Sequence, residues 1–291
     1  MVKKFFIPIL LMLFVFMLSA CNDNGTHDTD AASEDKGSLK IAMNDWAENI
    51  AVSNMWKILL EERGYETELV QVEKAIMYQG VADKELDIGM EIWLPHTDKP
   101  YYDEYSDDID LRDAWYEGTD LALTVPDYMD DINNIEDLEE NKDLFDEEII
   151  GIDAGASIMS LTEEVIDTYD LSFELKSSSE SAMLAELESH IAEEKPIVVT
   201  LWKPHSAFAN YDLKLLDDTE NIYGEEEKIY YAARVDLKDD EPEVVEWLDN
   251  FFLNDEQLGS LMNAVEKADQ EEDGAQQWID NNRDVVDEWF E

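Results

Sequence analysis

The chain of 291 residues contains a single cysteine, Cys21, so no disulfide can form within it and a paired-thiol redox site is excluded. Positive charge is scarce as well: 20 lysines and arginines stand against 73 aspartates and glutamates, a formal net charge of −53. Nucleic acid is excluded as a partner, because phosphate contacts draw on lysine and arginine. Acid spread this evenly reads as solubility in high salt, where the Debye length shrinks to about 3 Å at 1 M and like charges repel weakly. A halophilic habitat is the expectation. The four histidines, at 27, 96, 190 and 205, lack metal-ligand spacing, and neither an H-E-x-x-H nor a G-x-S-x-G signature occurs. No cofactor and no metal is expected. A secreted hydrolase, the competing class, has no recognisable catalytic motif, and the diffuse acid has no calcium-loop pattern.

Long apolar runs are absent except at the start. Lys3 and Lys4 precede the apolar run Phe5–Met17, and "LSAC" (18–21) supplies the small residues of a cleavage site. Residues 1–20 read as an export signal, with Cys21 acylated as a lipoprotein's new N-terminus. The alternative, an uncleaved membrane anchor, has a run short of the ~20 residues a span needs. Either way the chain faces outward on a membrane. Residues 21–38 carry almost no apolar side chain and read as an acidic linker.

From Leu39 onward strand and helix alternate. Strands are predicted at 39–43, 66–72, 86–93, 148–153, 173–177 and 196–202, and helices at 48–64, 74–85, 157–170 and 180–194, with Gly64 ending the first. The chain beyond Glu241 reads as almost wholly helical. This pattern predicts an α/β fold with mostly parallel sheets and helices on both faces. Residues 121–126 and 228–235 read as extended strands that link two such units in opposite directions. The expectation is a two-lobed clamp: 39–124 plus 226–291 form lobe I, and 125–225 form lobe II.

Eight tryptophans sort into two groups. Trp56, Trp247, Trp278 and Trp289 sit in amphipathic helices and read as core, and Trp115 as structural. Trp46, Trp93 and Trp202 differ, because each ends a strand and precedes a polar turn ("NDWAENIA", "EIWLPHTD", "VTLWKPHS"). In open α/β sheets ligands sit beyond the carboxyl ends of strands; packing at the rim is the alternative. Indoles drawn from both lobes would enclose a methylated ammonium, which has no N–H to donate and is held by cation–π attraction of about 0.5–2 kcal/mol per ring. Three rings fall short of the roughly 8 kcal/mol of a micromolar ligand, so a second anchor is needed. "GIDAGASIMSLTEEVIDTY" (151–169) provides one: a small-residue turn opens into a helix whose first N–H groups, around Ser157 and Ile158, favour a carboxylate. A cation at one end and a carboxylate at the other describe a betaine.

The motifs "DWAENIA", "EIWLPHT", "GIDAGASIMSLT", "SSSESAMLAEL" and "PIVVTLWKPH" closely resemble the substrate-binding lipoproteins of osmoprotectant ABC importers, the glycine betaine/proline betaine-binding family. The resemblance covers essentially all of 39–291. It implies a type II periplasmic-binding-protein-like clamp with a two-strand hinge, and a trimethylammonium prism at Trp46, Trp93 and Trp202. It also implies a carboxylate clamp at the N–H groups of Ser157 and Ile158. The implied function is capture of glycine betaine or a related solute, with no chemistry, for a transmembrane permease and its cytoplasmic ATPase. The implied location is the extracellular face of the cell membrane, by lipid anchor, as a monomer. Choline or carnitine as a nutrient is the alternative cargo. Some relatives read "WLPNTH" with a clamping histidine where this chain has Asp98, and His96 stands two residues earlier. The expectation is that His96 turns inward and donates the missing bond while Asp98 turns to solvent or a backbone amide. Tyr78 is a possible lining residue with packing as its alternative, and His205 is expected to bond backbone rather than ligand.

Overall fold

The computed structural model describes residues 36–291; the export signal and Cys21 lie outside the described residues. The first strand, β1 (Gly37–Met43), starts two residues inside the stretch read as linker, and α1 (Ala47–Glu61) follows. Ala51, Val52, Met55, Trp56 and Leu59 recur at helical spacing and are buried, so α1 lies against the sheet with one apolar stripe. Gly64, at φ +94°, adopts the left-handed conformation that reverses the chain into β2 (Tyr65–Gln71). Then come α2 (Lys74–Ala82), β3 (Ile88–Leu94), α3 (Lys99–Tyr105) and the 18-residue β4 (Ile109–Pro126). The second half contains α4 (Glu136–Glu140), β5 (Glu148–Ile150), α5 (Ser157–Thr168), β6 (Glu174–Lys176), α6 (Glu180–Ala192), β7 (Val199–Lys203), α7 (Ala207–Asn210) and β8 (Leu213–Leu215). The chain returns in β9 (Glu227–Arg234) and finishes with α8 (Leu237–Asp240), α9 (Pro242–Asn250), α10 (Asp255–Lys267), α11 (Glu271–Asn281) and α12 (Arg283–Glu288).

The strand order is β2-β1-β3-β9-β4-β7-β5-β6, with β8 also paired to β4. Parallel pairing, which strand–helix alternation predicts, is confined to the outer strands: β1 with β2 and β3, and β5 with β6 and β7. The centre is antiparallel, because β9 comes back from the second half and inserts between β3 and β4. β4 joins the halves as one strand, since 109–119 bond to β9 and 120–126 to β7 and β8. Only 121–126 of it was legible in the sequence. Its first part carries four charges in eleven residues (Asp110, Arg112, Asp113 and Glu117), and three register shifts against β9 break the alternation a strand normally shows.

The terminal helices complete the first half. α10 begins with a capping box in which Asn254 and Gln257 bond each other's backbone N–H groups, at 3.0 and 2.9 Å. Trp56 meets Trp289 in a stack at 6.1 Å and Phe251 edge-on at 5.3 Å, which seats this end of the chain on α1. Trp278 is buried and donates to Ser260 Oγ at 2.8 Å. Trp115 is wholly enclosed, its indole bonded to the Met90 carbonyl at 2.7 Å. These four are packing residues, as is Trp247, which meets Tyr65 at 6.3 Å and Phe290 at 5.2 Å.

Candidate ligand-binding site

Three turns at strand ends aim the remaining tryptophans at one another. After β1, Asn44 donates its backbone N–H to Asn49 Oδ1 at 2.7 Å and its side-chain amide to the Val72 carbonyl at 2.8 Å. That brace fixes Trp46 as the N-cap position of α1. Trp93 and Trp202 close β3 and β7, and the X-Pro bond two residues on is cis in both turns. All three indoles line one cavity, also lined by Leu121, Ile152, Ala156, Ser157 and Ile158. They are only 8%, 5% and 4% exposed, so the cleft between the halves is shut. Bonds across it hold it so: Trp46 Nε1 donates to Asp153 Oδ2 at 3.2 Å, the Ala47 N–H to Glu180 Oε2 at 3.2 Å, and the Tyr101 hydroxyl to the Gly155 carbonyl at 3.2 Å.

Opposite the indoles stands the N-terminus of α5. Its N-cap is Ala156, whose side chain caps nothing, and the first N–H groups of a helix, here those of Ser157 and Ile158, have no intrahelical acceptor. An uncapped helix N-terminus in a cavity is an anion position. Asp98 reaches it first. Its Oδ1 accepts from Ser157 Oγ at 2.7 Å, and its Oδ2 accepts from the Trp93 N–H at 2.9 Å and from the Lys74 ammonium at 2.8 Å. Asp98 thus lines the cavity instead of turning to solvent, and one of its bonds is to a backbone amide.

His96 does not turn inward. Its Nε2 meets the Ile222 carbonyl at 2.8 Å, and its ring fills the place a side chain on Gly224 would take, 2.8 Å from where that Cβ would stand. Its N–H, with the N–H and hydroxyl of Thr97, is held by the buried Glu227 carboxylate on β9. β9 therefore decides which way the turn faces. Tyr78 packs behind the site, stacked on Tyr101 at 5.5 Å and Tyr105 at 6.1 Å, and does not line the cavity. His205 accepts the Ala207 N–H on Nδ1 at 3.0 Å and meets Trp202 edge-on at 4.9 Å, supporting that indole from outside the cavity.

Three further charged side chains line the cavity. Lys74 is buried at the N-terminus of α2, with Nζ on Asp98, on the Glu91 carbonyl at 2.6 Å, and 4.8 Å from the Trp46 ring centre. Glu48 on α1 accepts from Trp202 Nε1 at 3.1 Å, and Glu91 on β3 accepts from Trp93 Nε1. Both carboxyls are buried, and burial raises the affinity of each for a proton. Glu48 is pushed well above the usual carboxylate range by burial, then by Glu91 and Glu180. Glu91 rises to about 7, with burial opposed chiefly by the Lys74 ammonium.

Residues 37–281 match the family described as the substrate-binding domain of ABC-type glycine betaine transport systems. The chain belongs to this family. A curated glycine betaine/carnitine transport binding protein of Listeria monocytogenes is 42% identical over 144 residues, 48% of each chain, so that match spans about half of the relative's length. The solved glycine/betaine/L-proline-binding protein of Borrelia burgdorferi is 36% identical and superposes with a TM-score of 0.83 over 87% of this chain and 96% of its own. A lactococcal relative, crystallised closed around glycine betaine, is 30% identical with a TM-score of 0.82 over 88% of this chain and all of its own.

Within this glycine betaine-type substrate-binding domain, sequence reasoning missed Lys74, Glu48 and Glu91. Each left a signal. A lysine at the first position of a helix faces the positive end of the helix dipole, so Lys74 needs a local carboxylate. Glu91 is the one charge in a strand buried along its whole length. Glu48 is masked, because an acid in the first turn of a helix is ordinary.

Proposed function

We propose that this protein captures a quaternary-ammonium compatible solute, glycine betaine first among them, and delivers it to the permease of an ABC importer, performing no chemistry itself. One observation carries the reading: indoles from three strand ends enclose a cavity whose far wall is an uncapped helix N-terminus. The cation rests against the rings and the carboxylate meets the N–H groups of Ser157 and Ile158. Residues 39–124 with 226–291 act as one lobe and 125–225 as the other, hinged where β4 passes between them and where the chain returns before β9. Cross-cleft bonds such as that from Trp46 to Asp153 belong to the closed, cargo-holding form. Acylation at Cys21 anchors the monomer on the outer face of the membrane, where it meets the permease and, through it, the ATPase. The acidic surface fits a salty habitat.

Asp98 supports a second reading. It places the protein's own carboxylate against α5, which favours a cation without a carboxylate, such as choline. Titration calorimetry with glycine betaine, choline, carnitine and calcium chloride tests both. Micromolar binding of glycine betaine is the expected result; choline binding alone selects the second reading, and heat only with calcium overturns both.

A further inference from the structure

The cavity holds more acid than the ligand's polar end requires. Glu48 and Glu91 stand on the indole side, each accepting the N–H of a different cage tryptophan. Glu91 Oε2 is buried without a donor. Glu48 lines the same cavity, and a proton on its carboxyl can be donated to Glu91.

We propose that Glu48 and Glu91 form the counter-charge of the indole cage, each holding a proton when the cavity is empty and together releasing one to solvent when a quaternary ammonium enters. They are specificity-determining residues for a cation, and the inference rests on the reading of the cavity as a quaternary-ammonium site. The charge balance of the cavity leads there. Lys74 already places one ammonium 4.8 Å from Trp46, and Asp98 is its partner. A second cation on the indole side is stabilised by a negative charge beside it, and Glu48 with Glu91 are the remaining carboxyls lining the cavity. An indole whose N–H is given to a carboxylate is also richer in π-electron density than one bonded to a neutral acceptor, so ionisation strengthens the wall that holds the cation.

The surroundings keep the empty pair protonated. Glu180 on α6 faces Glu48 and disfavours its charge, with the His205 ring 3.2 Å beyond. Asp98 opposes ionisation of Glu91, while the Lys74 ammonium, and after it the hydrogen bonds from Trp93 and Glu48, favour it without overcoming burial. The Tyr78 and Tyr116 hydroxyls, which sense Glu91 and Glu48 respectively, are held neutral by burial and add no charge. Glu91 therefore titrates at about 7 in the empty site. A bound cation favours its ionised form, so affinity rises with pH until the pair is ionised without the ligand.

Calorimetric titration of the full chain with glycine betaine and, separately, choline, in phosphate and in Tris buffer, reads the proton directly. The expected result near pH 6.5 is release of about 0.5–1 proton per ligand, with affinity rising by up to about tenfold per pH unit between pH 5.5 and 7 for both ligands. In Glu91→Gln the release and the pH dependence disappear together. If that variant does not fold, Glu48→Gln is read in the same way, and the wild-type proton count stands without either. Binding of either ligand with no proton release and an affinity flat from pH 5.5 to 8 overturns the inference while leaving the proposed function standing. No binding of any quaternary ammonium overturns the proposed function, and the inference with it.

Discussion

The Lys74 ammonium donates to Asp98 Oδ2 at 2.8 Å, and neither side chain has meaningful contact with water. The pair joins the first helix position of α2 to the turn after β3, and Ser157 across the cleft completes it. Breaking a buried pair from one side leaves an uncompensated charge and costs about 3–5 kcal/mol. Lys74→Met and Asp98→Asn are each expected to lose about that much in urea denaturation, and the double variant to recover more than half. Additive losses would show that the two side chains stabilise the protein separately.

Alanine at Trp46, Trp93 or Trp202 is expected to weaken glycine betaine binding about tenfold or more, at least ~1.4 kcal/mol for each wall removed. Trp278, on α11 with its indole on Ser260 of α10, behaves differently. Trp278→Ala is expected to lower stability by about 3–5 kcal/mol and to leave the affinity of the folded fraction unchanged. Calorimetry and thermal melts on the four variants separate cage from core.

His96 faces Ile222 and Gly224, away from the cavity. His96→Ala is expected to cost about 1 kcal/mol of stability through the lost bond. The dissociation constant for glycine betaine should stay within about twofold, which is about 0.4 kcal/mol, at both pH 6 and pH 8. A loss of pH dependence in this variant would place the histidine in the site after all.

Glu91 links stability to pH. Its folded value of about 7 lies above the ordinary 4.5, so between those values the folded state keeps a proton that the unfolded chain has lost. Stability from this group is therefore full below pH 4.5 and declines as pH rises towards 7, by about 3 kcal/mol in total. The wild type is expected to lose that much relative to Glu91→Gln over this window in denaturant melts of the ligand-free protein. A constant difference between the two would mean that Glu91 is already ionised at pH 4.5.

Much of this architecture is local in origin, and so it could be read along the chain. The apolar stripe of α1, the stop at Gly64 and the short buried strands follow from residues within a few positions of one another. The three strand-end indoles were recognisable for the same reason: an aromatic followed by a polar turn is a property of eight consecutive residues. The first half of β4 escaped because its apolar face is defined by β9, more than a hundred residues later, through a bulged register.

Residues that are neighbours along the chain set the chemistry that the cavity can offer: indoles for a cation, and a helix start without a capping side chain for an anion. Tertiary structure alone decided the charge of that cavity. Glu48, Lys74, Glu91 and Asp98 come from α1, α2, β3 and the turn after β3, and they meet only because β1 and β3 pair in parallel and carry their carboxyl ends to one rim. The same holds for the orientation of His96 and Asp98, two residues apart in one turn. The Glu227 carboxylate on β9 fixes the backbone of His96 and Thr97, and the space left open by Gly224 takes the His96 ring. What remains facing the cavity is Asp98, held there by a lysine twenty-four residues earlier in the chain.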